Sequence, residues 1–374
     1  MRRNFQTLFA LGILCWISMA ARPACAADFG AAACALDTLY LLNSVEEPNT
    51  VKSPEALNVP VNGDSMCQIL LTQNPQNTPA SLKTEEARPA ERRIAITFDD
   101  LPYNGLSLSL KQMQEVNSLL TEQLAQMKVP AIGFVNEKKL FQRPDEVEQR
   151  TALLEMWLSH GLLLGNHTYS HMNFEQNSIK DFEDDVVKGE TISSALLKQH
   201  GMKLRFFRFP YLATGRDAQS KAEIYNFLKQ RHYEIVPVSI SADDWMFAAV
   251  YTKARLQDDA SLMKQVADAY LQYTKDALLQ VEKSRSAEAG GASKVPSQIM
   301  LLHCNYLNAD HLKELLKMLG SFGYKFISVA EALEEPLWKH ASDASGLHPP
   351  SINPATNAPP QFIQELYKNA HYDD

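Results

Sequence analysis

The sequence predicts an α/β protein built around a parallel sheet. From Arg93 onward, short apolar segments alternate with longer segments whose apolar residues recur at helical spacing. Seven such strand–helix alternations are typical of parallel β/α architecture. Periodicity alone leaves a closed barrel and an open doubly wound sheet as alternatives, because both bury continuous apolar strands under helices.

The predicted elements follow one another in a regular order. The first unit is a strand at 94–98, followed by a helix on which Met113, Val116 and Leu120 share one face. Further strands are predicted at 131–135, 162–166, 204–209, 233–240, 298–302 and 324–328. Further helices are predicted at 147–158, 181–198, 221–229, 262–283 and 310–319.

The N-terminus has the pattern of a secretory signal peptide. Arg2 and Arg3 precede an apolar run at 5–20, and Ala24-Cys25-Ala26 follows as a small-x-small cleavage site. A membrane anchor is the alternative, but the run is shorter than the roughly 20 residues that a spanning helix needs. We therefore predict that residues 1–26 direct export to the periplasm or the external medium and are removed.

Three further regions are predicted from composition. Residues 27–92 lack periodicity and are interpreted as an extension and linker, in which a disulfide between Cys34 and Cys67 is expected. Residues 93–335 form the predicted catalytic domain, which includes Cys304 as a small buried side chain. Residues 336–374 are Pro-rich and are predicted to be an extended tail that docks again through its apolar residues, Phe362, Ile363 and Leu366.

Composition and charge exclude two classes of protein. Of the 374 residues, 45% are hydrophobic and 21% are charged, which is a globular and not a disordered balance. The formal net charge of −8 lacks the basic footprint of a nucleic-acid-binding protein. We expect no nucleic-acid partner, no membrane span in the mature protein, and a monomer.

Chemically useful side chains follow the ends of several predicted strands. Asp99 and Asp100 end the first strand, and His167 and His171 follow the third. Parallel α/β folds place their active sites at these carboxyl ends. Two imidazoles and one carboxylate, with one coordination position left open, suit a catalytic divalent ion. The two histidines can share such an ion when the turn between them is helical, because residues i and i+4 lie on one face. The two aspartates need an irregular turn, because successive side chains of a strand point in opposite directions.

Three more strand ends carry polar or aromatic residues. Arg208-Phe209-Pro210-Tyr211 ends the fourth strand, Asp243-Asp244-Trp245 follows the fifth, and Leu301-Leu302-His303 ends a later one. Each segment has an ordinary structural explanation when it is taken alone. Together with the paired aspartates and histidines, they offer metal ligands, an acid, a base and an aromatic wall.

These five motifs resemble those of the polysaccharide deacetylase family, the NodB-homology domain of carbohydrate esterase family four. The motifs are TFDD at 97–100, HTYSH at 167–171, RFPY at 208–211, DDW at 243–245 and LLH at 301–303. The resemblance covers residues 93–333. It implies a distorted (β/α)7 TIM-like barrel and a metal-dependent hydrolase that removes acetyl groups from polysaccharides, acting on carbon–nitrogen (non-peptide) bonds.

The resemblance also implies a role for individual residues. Asp99 becomes the general base and His303 the general acid, while Asp100, His167 and His171 become the metal ligands. The metal is expected to be Zn²⁺, with other first-row divalent ions as alternatives.

The supporting residues follow from the same resemblance. Arg208 would orient Asp99, and Thr168 would brace the second motif. The backbone N–H of Tyr211 would help to stabilise the oxyanion. The side chains that would wall the sugar groove are Pro210, Tyr211 and Trp245.

Two residues depart from the family pattern. Leu101 stands where the family commonly has Gly, and is expected to narrow or reshape the groove beside the metal. Ser241 occupies the position of an Asp that supports the acid histidine, so Asp243 or Asp244 would have to replace it, and we place Asp244 among the catalytic residues.

The sequence therefore predicts an exported, metal-dependent deacetylase of N-acetylhexosamine residues in glycans such as peptidoglycan or chitin-like polymers. Acetylated xylan is a further substrate alternative. A non-hydrolytic or weakly active carbohydrate-binding relative is the second functional hypothesis, motivated by Ser241 and Leu101. The ligand set also matches the facial triad of non-haem iron oxygenases, but Asp99 and His303 would then lack a role.

Overall fold

The structure is a computed structural model that describes residues 91–288, 296–341 and 358–370. The predicted signal peptide, nearly all of the predicted extension and the predicted Cys34–Cys67 pairing lie outside the described residues, as does part of the predicted tail. Among the described residues, no helix is both long enough and apolar enough to cross a membrane.

The described residues form one parallel sheet. Its strands are β1 (Arg92–Leu101), β2 (Ala131–Val135), β3 (Leu163–Asn166), β4 (Phe206–Phe207), β5 (Glu234–Ile235), β6 (Ile240–Ser241), β7 (Gln298–His303) and β8 (Tyr324–Phe326). Every pairing is parallel, as the strand–helix alternation predicts. The strand order in the sheet is β5-β4-β3-β2-β1-β7-β6, and β8 also pairs with β1.

Helices connect the strands and cover the sheet. Those between β1 and β5 are α1 (Leu110–Gln126), α2 (Val147–Ser159), α3 (Ile179–Lys188), α4 (Thr191–Gln199) and α5 (Ala218–Gln230). The later helices are α6 (Asp244–Leu256), α7 (Ala260–Glu288), α8 (Tyr306–Ser321), α9 (Val329–Leu333), α10 (Pro336–Ala341) and α11 (Gln361–Lys368). The helix α6 was not predicted, because its residues are buried on more than one face and show no amphipathic period.

The predicted strand at 233–240 is two strands that pair with opposite edges of the sheet. Pro237 has no N–H with which to continue a ladder. On one side of it, the Val236 N–H bonds to the Phe207 carbonyl of β4, and on the other the Ser239 N–H bonds to the Ile299 carbonyl of β7. The segment 236–239 therefore connects the two edges of the sheet. The fold is a distorted barrel and not an open sheet.

The predicted helix at 181–198 is likewise two helices. The α3 helix ends at Gly189, and the buried carboxylate of Glu137 accepts hydrogen bonds from the backbone N–H groups of Ile192 and Ser193. These N–H groups lie in the first turn of α4, where a helix leaves its donors unpaired. Glu137 therefore anchors a new helix at this point and joins it to the segment after β2.

The strand β1 separates two environments. Ile94, Ile96 and Phe98 pack under the covering helices. Ala95 belongs to a second apolar cluster inside the barrel, and Thr97 and Asp99 continue along the same alternating face toward the carboxyl end. At the opposite end, Trp338 of α10 is buried and donates a hydrogen bond to the Ser297 carbonyl.

The C-terminal region is more structured than predicted. The helices α10 and α11 both lie in the segment predicted to be an extended tail. Ile363 of α11 is fully buried, and Phe362 and Leu366 pack against the main core. The predicted docking of these three apolar residues is thus confirmed, but they dock as a helix.

Candidate active site

The carboxylates of the paired aspartates converge on one site because the end of β1 is irregular. The pairing of β1 with β2 shifts register between Phe98 and Leu101, and Asp100 has a positive φ of 68°. A non-glycine residue adopts this left-handed conformation only at a local cost. The distortion matches the irregular turn that the sequence required for both carboxylates to reach one site.

The two histidines of the second motif meet through a turn that is not helical. Residues 167–171 have no helical assignment, and Thr168 and His171 have positive φ values of 62° and 61°. The predicted helical i, i+4 arrangement is therefore wrong, although the imidazole rings still lie 5.0 Å apart between centroids.

Neighbouring residues hold this turn in place. The Asn166 side chain accepts a hydrogen bond from the Thr168 N–H at 2.7 Å, and the Thr168 hydroxyl accepts one from the Met172 N–H. Gly189 is needed where α3 approaches the turn, because a Cβ there would lie 2.8 Å from the Tyr169 nitrogen. The ligand-bearing turn thus depends on close backbone packing against α3.

Asp100, His167 and His171 form a cluster with the donor set of a divalent-metal site. One ligand atom from each lies within 4.8 Å of the others. The Oδ1 atom of Asp100 is buried and accepts no hydrogen bond from any described residue. The nearest charged and imidazole groups are the Lys139 ammonium at 3.3 Å and the His171 Nε2 at 3.4 Å. Because this buried oxygen accepts no hydrogen bond, and because the donor set is one carboxylate and two imidazoles, the residues present fit a bound cation.

Electrostatics keep these groups in the protonation states that metal binding needs. Burial raises the pKa of Asp100, but coulombic interactions, the largest of them with Lys139, outweigh this and leave that pKa well below its ordinary value. Burial lowers the pKa of His167, and lowers the pKa of His171 to about 4. An ionised carboxylate and two neutral imidazoles are the forms that coordinate metals.

Arg208 holds Asp99 inside the barrel. Its guanidinium is fully buried and donates hydrogen bonds to Asp99 Oδ1 at 2.8 Å and to the Thr97 hydroxyl at 2.7 Å. The second oxygen of Asp99, Oδ2, lies 3.5 Å from His167 Nε2. One carboxylate oxygen is therefore fixed by an arginine, and the other lies next to the metal-ligand cluster.

His303 lies beside Asp99 and is held by Asp244. The two residues are register partners in the β1–β7 pairing. Asp244, which is 1% exposed, accepts hydrogen bonds from the His303 Nδ1 at 2.7 Å and from the His303 backbone N–H at 2.8 Å. Ser241 lies in β6. Of the two aspartates that could replace the expected carboxylate, Asp244 contacts His303, whereas Asp243 is bonded to Tyr273.

The Asp244 carboxylate is itself fixed and charged. The side-chain amides of Asn305 and Asn308 also donate to it. Burial lowers the pKa of His303, but the adjacent Asp244 carboxylate outweighs this effect and raises that pKa to about 9. His303 therefore carries a proton on both ring nitrogens at neutral pH.

The three predicted groove residues have different surroundings. Tyr211 is 59% exposed, has its ring 4.4 Å from that of His171, and lines a cavity next to the cluster. Pro210 is buried. Trp245 is half-buried, and its ring packs edge to face against Tyr367 of α11 at 5.3 Å, which sequence reasoning did not foresee.

Leu101 does not reshape the groove as expected. It is fully buried, and its side chain occupies the space above Gly133 of β2, where a Cβ would lie 2.3 Å from the leucine Cδ2. The small residue at 133 thus accommodates the large one at 101. The expected narrowing of the groove by Leu101 is wrong, because this side chain packs into the core.

Sequence reasoning missed two residues that touch Asp100. The Lys139 ammonium lies 3.3 Å from Asp100 Oδ1, and the Asn104 side chain donates to Asp100 Oδ2 at 2.7 Å. Asn104 follows the first motif closely, which was an available signal. Lys139 follows β2, a neighbouring strand at whose end no motif was recognised.

Comparison with known proteins supports the resemblance. Residues 86–228 match the family model described as polysaccharide deacetylase. That span includes the first three motifs, whereas 243–245 and 301–303 lie beyond it. No curated protein matches the chain.

Several solved structures are similar to this chain at low identity. A carbohydrate esterase family 4 pseudoenzyme from Bacillus anthracis is 18% identical, with a TM-score of 0.44 over 66% of this chain and 67% of its own. A peptidoglycan deacetylase from Bacillus subtilis is 19% identical, with a TM-score of 0.40 over 68% of this chain and 96% of its own. A domain of a xylanase from the hindgut metagenome of Trinervitermes trinervoides is 20% identical, with a TM-score of 0.40 over 65% and 90%. Residues 86–228, which contain the first three motifs, are therefore similar to a polysaccharide deacetylase domain, as the motifs predict.

Proposed function

We propose that the protein is an exported, metal-dependent deacetylase that hydrolyses acetyl groups from N-acetylhexosamine residues of glycans. One observation carries the proposal. Around the Asp100, His167 and His171 cluster, Asp99 is fixed by Arg208 and His303 is fixed by Asp244. A base and an acid thus stand beside a potential metal site, as amide hydrolysis requires.

The divalent ion is proposed to be Zn²⁺, held by Asp100, His167 and His171. When bound, such an ion supplies Lewis-acid polarisation of a carbonyl and lowers the pKa of water. The His167 Nδ1 lies 2.8 Å from the Arg208 carbonyl. That contact fixes the tautomer that leaves Nε2 as the ligand atom.

Asp99 is proposed as the general base. Arg208 occupies its Oδ1 atom, so Oδ2, on the side of the cluster, is the oxygen that takes a proton from the attacking water. The same guanidinium also bonds to Thr97 and to the Val236 carbonyl. Because these contacts are buried and rigid, the carboxylate is held in one orientation before substrate binds.

His303 is proposed as the general acid. Its Nδ1 proton is held by Asp244, which leaves Nε2–H to protonate the departing amine of the sugar. A pKa of about 9 keeps the ring protonated at neutral pH. The exposed ring of Tyr211, beside His171, is proposed to contact the acetylated sugar.

Export is proposed from the N-terminal pattern of Arg2, Arg3 and the apolar run at 5–20. The substrate class is proposed to include peptidoglycan and chitin-like polymers. The alternative of a non-hydrolytic carbohydrate-binding relative rested on Ser241 and Leu101. Asp244 contacts His303 and can replace the carboxylate that Ser241 lacks. Leu101 packs in the core, so it gives little support to this alternative.

The proposal is tested by acetate release from N-acetylglucosamine oligomers, peptidoglycan fragments and acetylated xylan. The protein is first stripped of metal and then reloaded with Zn²⁺. Release from an N-acetylhexosamine substrate only after reloading supports the proposal. Release from xylan alone would make the enzyme an O-deacetylase, and silence on all three substrates with metal bound would favour the binding relative.

A further inference from the structure

We infer that the cavity beside the Asp100 cluster binds an anionic group of the glycan, and that Lys138 and Lys139 recognise it. This inference rests on the proposed function and narrows its substrate class to glycans that carry a carboxylate near the acetylated sugar. The occupant is thus an acidic glycan and not a neutral chitin-like chain.

The cavity is basic although the chain is acidic. Its volume is about 670 Å³, and its wall includes Asp100, His171 and Tyr211 of the candidate site. Its lining contains four cationic side chains, Lys138, Lys139, Arg143 and Arg150, but one carboxylate, that of Asp100. The whole chain has a formal net charge of −8, so this wall differs in sign from the average surface.

One arginine of the wall is a structural anchor. Arg150 is 2% exposed, and its guanidinium donates to Glu146 Oε2 at 2.8 Å and 3.0 Å. It also donates to the Lys139 carbonyl at 3.0 Å and to the Gln142 side chain. Its charge is therefore neutralised, and its contacts hold the segment after β2 on which the two lysines lie.

That segment is fixed at its other end as well. The Glu137 carboxylate accepts hydrogen bonds from two backbone N–H groups of α4, and the Lys138 N–H bonds to the Tyr169 carbonyl at 2.9 Å. The lysines are thus presented by a segment tied to α2, to α4 and to the ligand-bearing turn. Such preorganisation reduces the entropy lost on binding.

The cationic side chains of the cavity wall outnumber the nearby carboxylates that could neutralise them. Glu146 already pairs with Arg150 and lies 3.9 Å from Arg143. Asp100 is 3.3 Å from Lys139, but a divalent ion held by Asp100 would compete for the same carboxylate oxygen. With Asp100 and Glu146 counted against four cations, the wall retains two positive charges.

The chemistry of the wall favours a carboxylate on the bound glycan. An ammonium and a carboxylate in contact attract each other more strongly at a protein surface than in bulk water. One such contact corresponds to roughly a tenfold change in affinity. Lys138 is exposed, and Lys139 is partly exposed while its ammonium contacts Asp100.

The inference is tested by equilibrium binding to the metal-free protein, so that it does not depend on turnover. The ligands are a neutral N-acetylglucosamine oligomer, a peptide-free peptidoglycan strand of similar length, and the same strand with its lactyl carboxylates converted to methyl amides. An oligomer that alternates N-acetylglucosamine with a uronic acid provides a second source of carboxylate. Calorimetry gives the four dissociation constants.

We expect the unmodified peptidoglycan strand to bind about tenfold more tightly than its methyl amide, with the preference shrinking as salt rises from about 0.02 to 0.5 M. Lys138→Gln should reduce this preference about fivefold. Lys317→Gln, the same charge change on an exposed position of α8, should leave it unchanged. Tighter binding of the uronic-acid oligomer than of the lactyl strand would assign the subsite to a carboxylate on the sugar ring.

Two binding results, and one result on turnover, would overturn the inference. One is equal affinity of the strand and its methyl amide. The other is a salt-dependent preference that survives in Lys138→Gln and in the Lys138→Gln/Lys139→Gln double variant, because the cations would then lie elsewhere. Acetate release from neutral and acidic glycans at equal efficiency would leave the proposed function intact and reject only this subsite.

Discussion

The charge of Asp244 sets the protonation of His303, and replacing Asp244 with Asn tests this directly. The variant keeps the size of the side chain but removes the charge 2.7 Å from His303 Nδ1. In the metal-free wild type, the pKa of His303 is raised from 6.5 to about 9. At 1.36 kcal/mol per pKa unit, that rise corresponds to about 3 kcal/mol of net stabilisation of the protonated ring, in which the attraction of Asp244, aided by Asp99 and Asp100, exceeds the cost of burial.

The sign of the effect on stability follows from the raised pKa. A group that binds its proton more tightly in the folded state contributes its full stability below the unfolded pKa of 6.5. That contribution is lost as pH rises through the folded pKa of about 9. The free energy of unfolding of the wild type should therefore fall by about 3 kcal/mol between pH 6.5 and 9 from this group alone.

The assay is an NMR titration of the imidazole C–H signals in metal-free protein, with His303 assigned from the spectrum of His303→Gln. Asp244→Asn should lower the pKa of His303 by about 2 units or more. Urea unfolding should show that the variant loses the alkaline decrease in stability. Asp243→Asn is the comparison variant: Asp243 is hydrogen-bonded to Tyr273 and affects His303 only through its charge, so this change should lower the pKa of His303 by much less. A pKa of His303 that stays near 9 in Asp244→Asn would refute the reasoning.

Three further changes test the site and its support. Asp100→Ala should abolish Zn²⁺ binding, measured by metal analysis after dialysis, and stoichiometric retained zinc would contradict the ligand assignment. Gly189→Ala places a Cβ 2.8 Å from backbone, so we expect a loss of about 1 to 3 kcal/mol in denaturant unfolding and weaker zinc binding. Gly320→Ala, in an open position of α8, is its control and should be stabilising or neutral, so equal losses in both variants would argue against the close approach. Leu101→Ala should lower the free energy of unfolding by about 2 to 5 kcal/mol, and a near-neutral effect would show that Leu101 does not pack in the core.

The central strands could be predicted because their apolar runs are continuous and their ends carry polar residues. The β2 strand has the predicted bounds, and β1, β3 and β7 differ from prediction by a few residues at their ends. Burial on both faces of a parallel sheet produces such runs. The order of the sheet and its near-closure at Pro237 depend instead on long-range pairing, which local patterns do not encode.

The candidate site could be assigned by residue but not by backbone geometry. The motifs gave Asp100, His167 and His171, and the structure brings all three together. The left-handed conformations at Asp100, Thr168 and His171 could not be predicted from the sequence. Tertiary contacts impose these conformations, and local sequence does not favour them. A helical turn between the histidines was the simpler expectation, and it was wrong.

The support of His303 shows how a departure from a family pattern can be compensated. Ser241 removes the expected carboxylate, but the first residue of α6 supplies one from a nearby position. Sequence left Asp243 and Asp244 as alternatives, because their order along the chain does not show which side chain points inward. The left-handed conformation of Asp243, with a φ of 47°, precedes α6 and leaves Asp244 to face His303.

Acetate release by the Asp99→Asn variant tests the central claim most directly. Wild type and variant are reloaded with Zn²⁺, their metal content is measured, and both are given the N-acetylhexosamine substrate that the wild type deacetylates best. We predict equal zinc content and a turnover that falls by about 10² to 10⁴ in the variant, because the base is lost while the ligands remain. Undiminished turnover in Asp99→Asn, or no release by zinc-loaded wild type, would contradict the account.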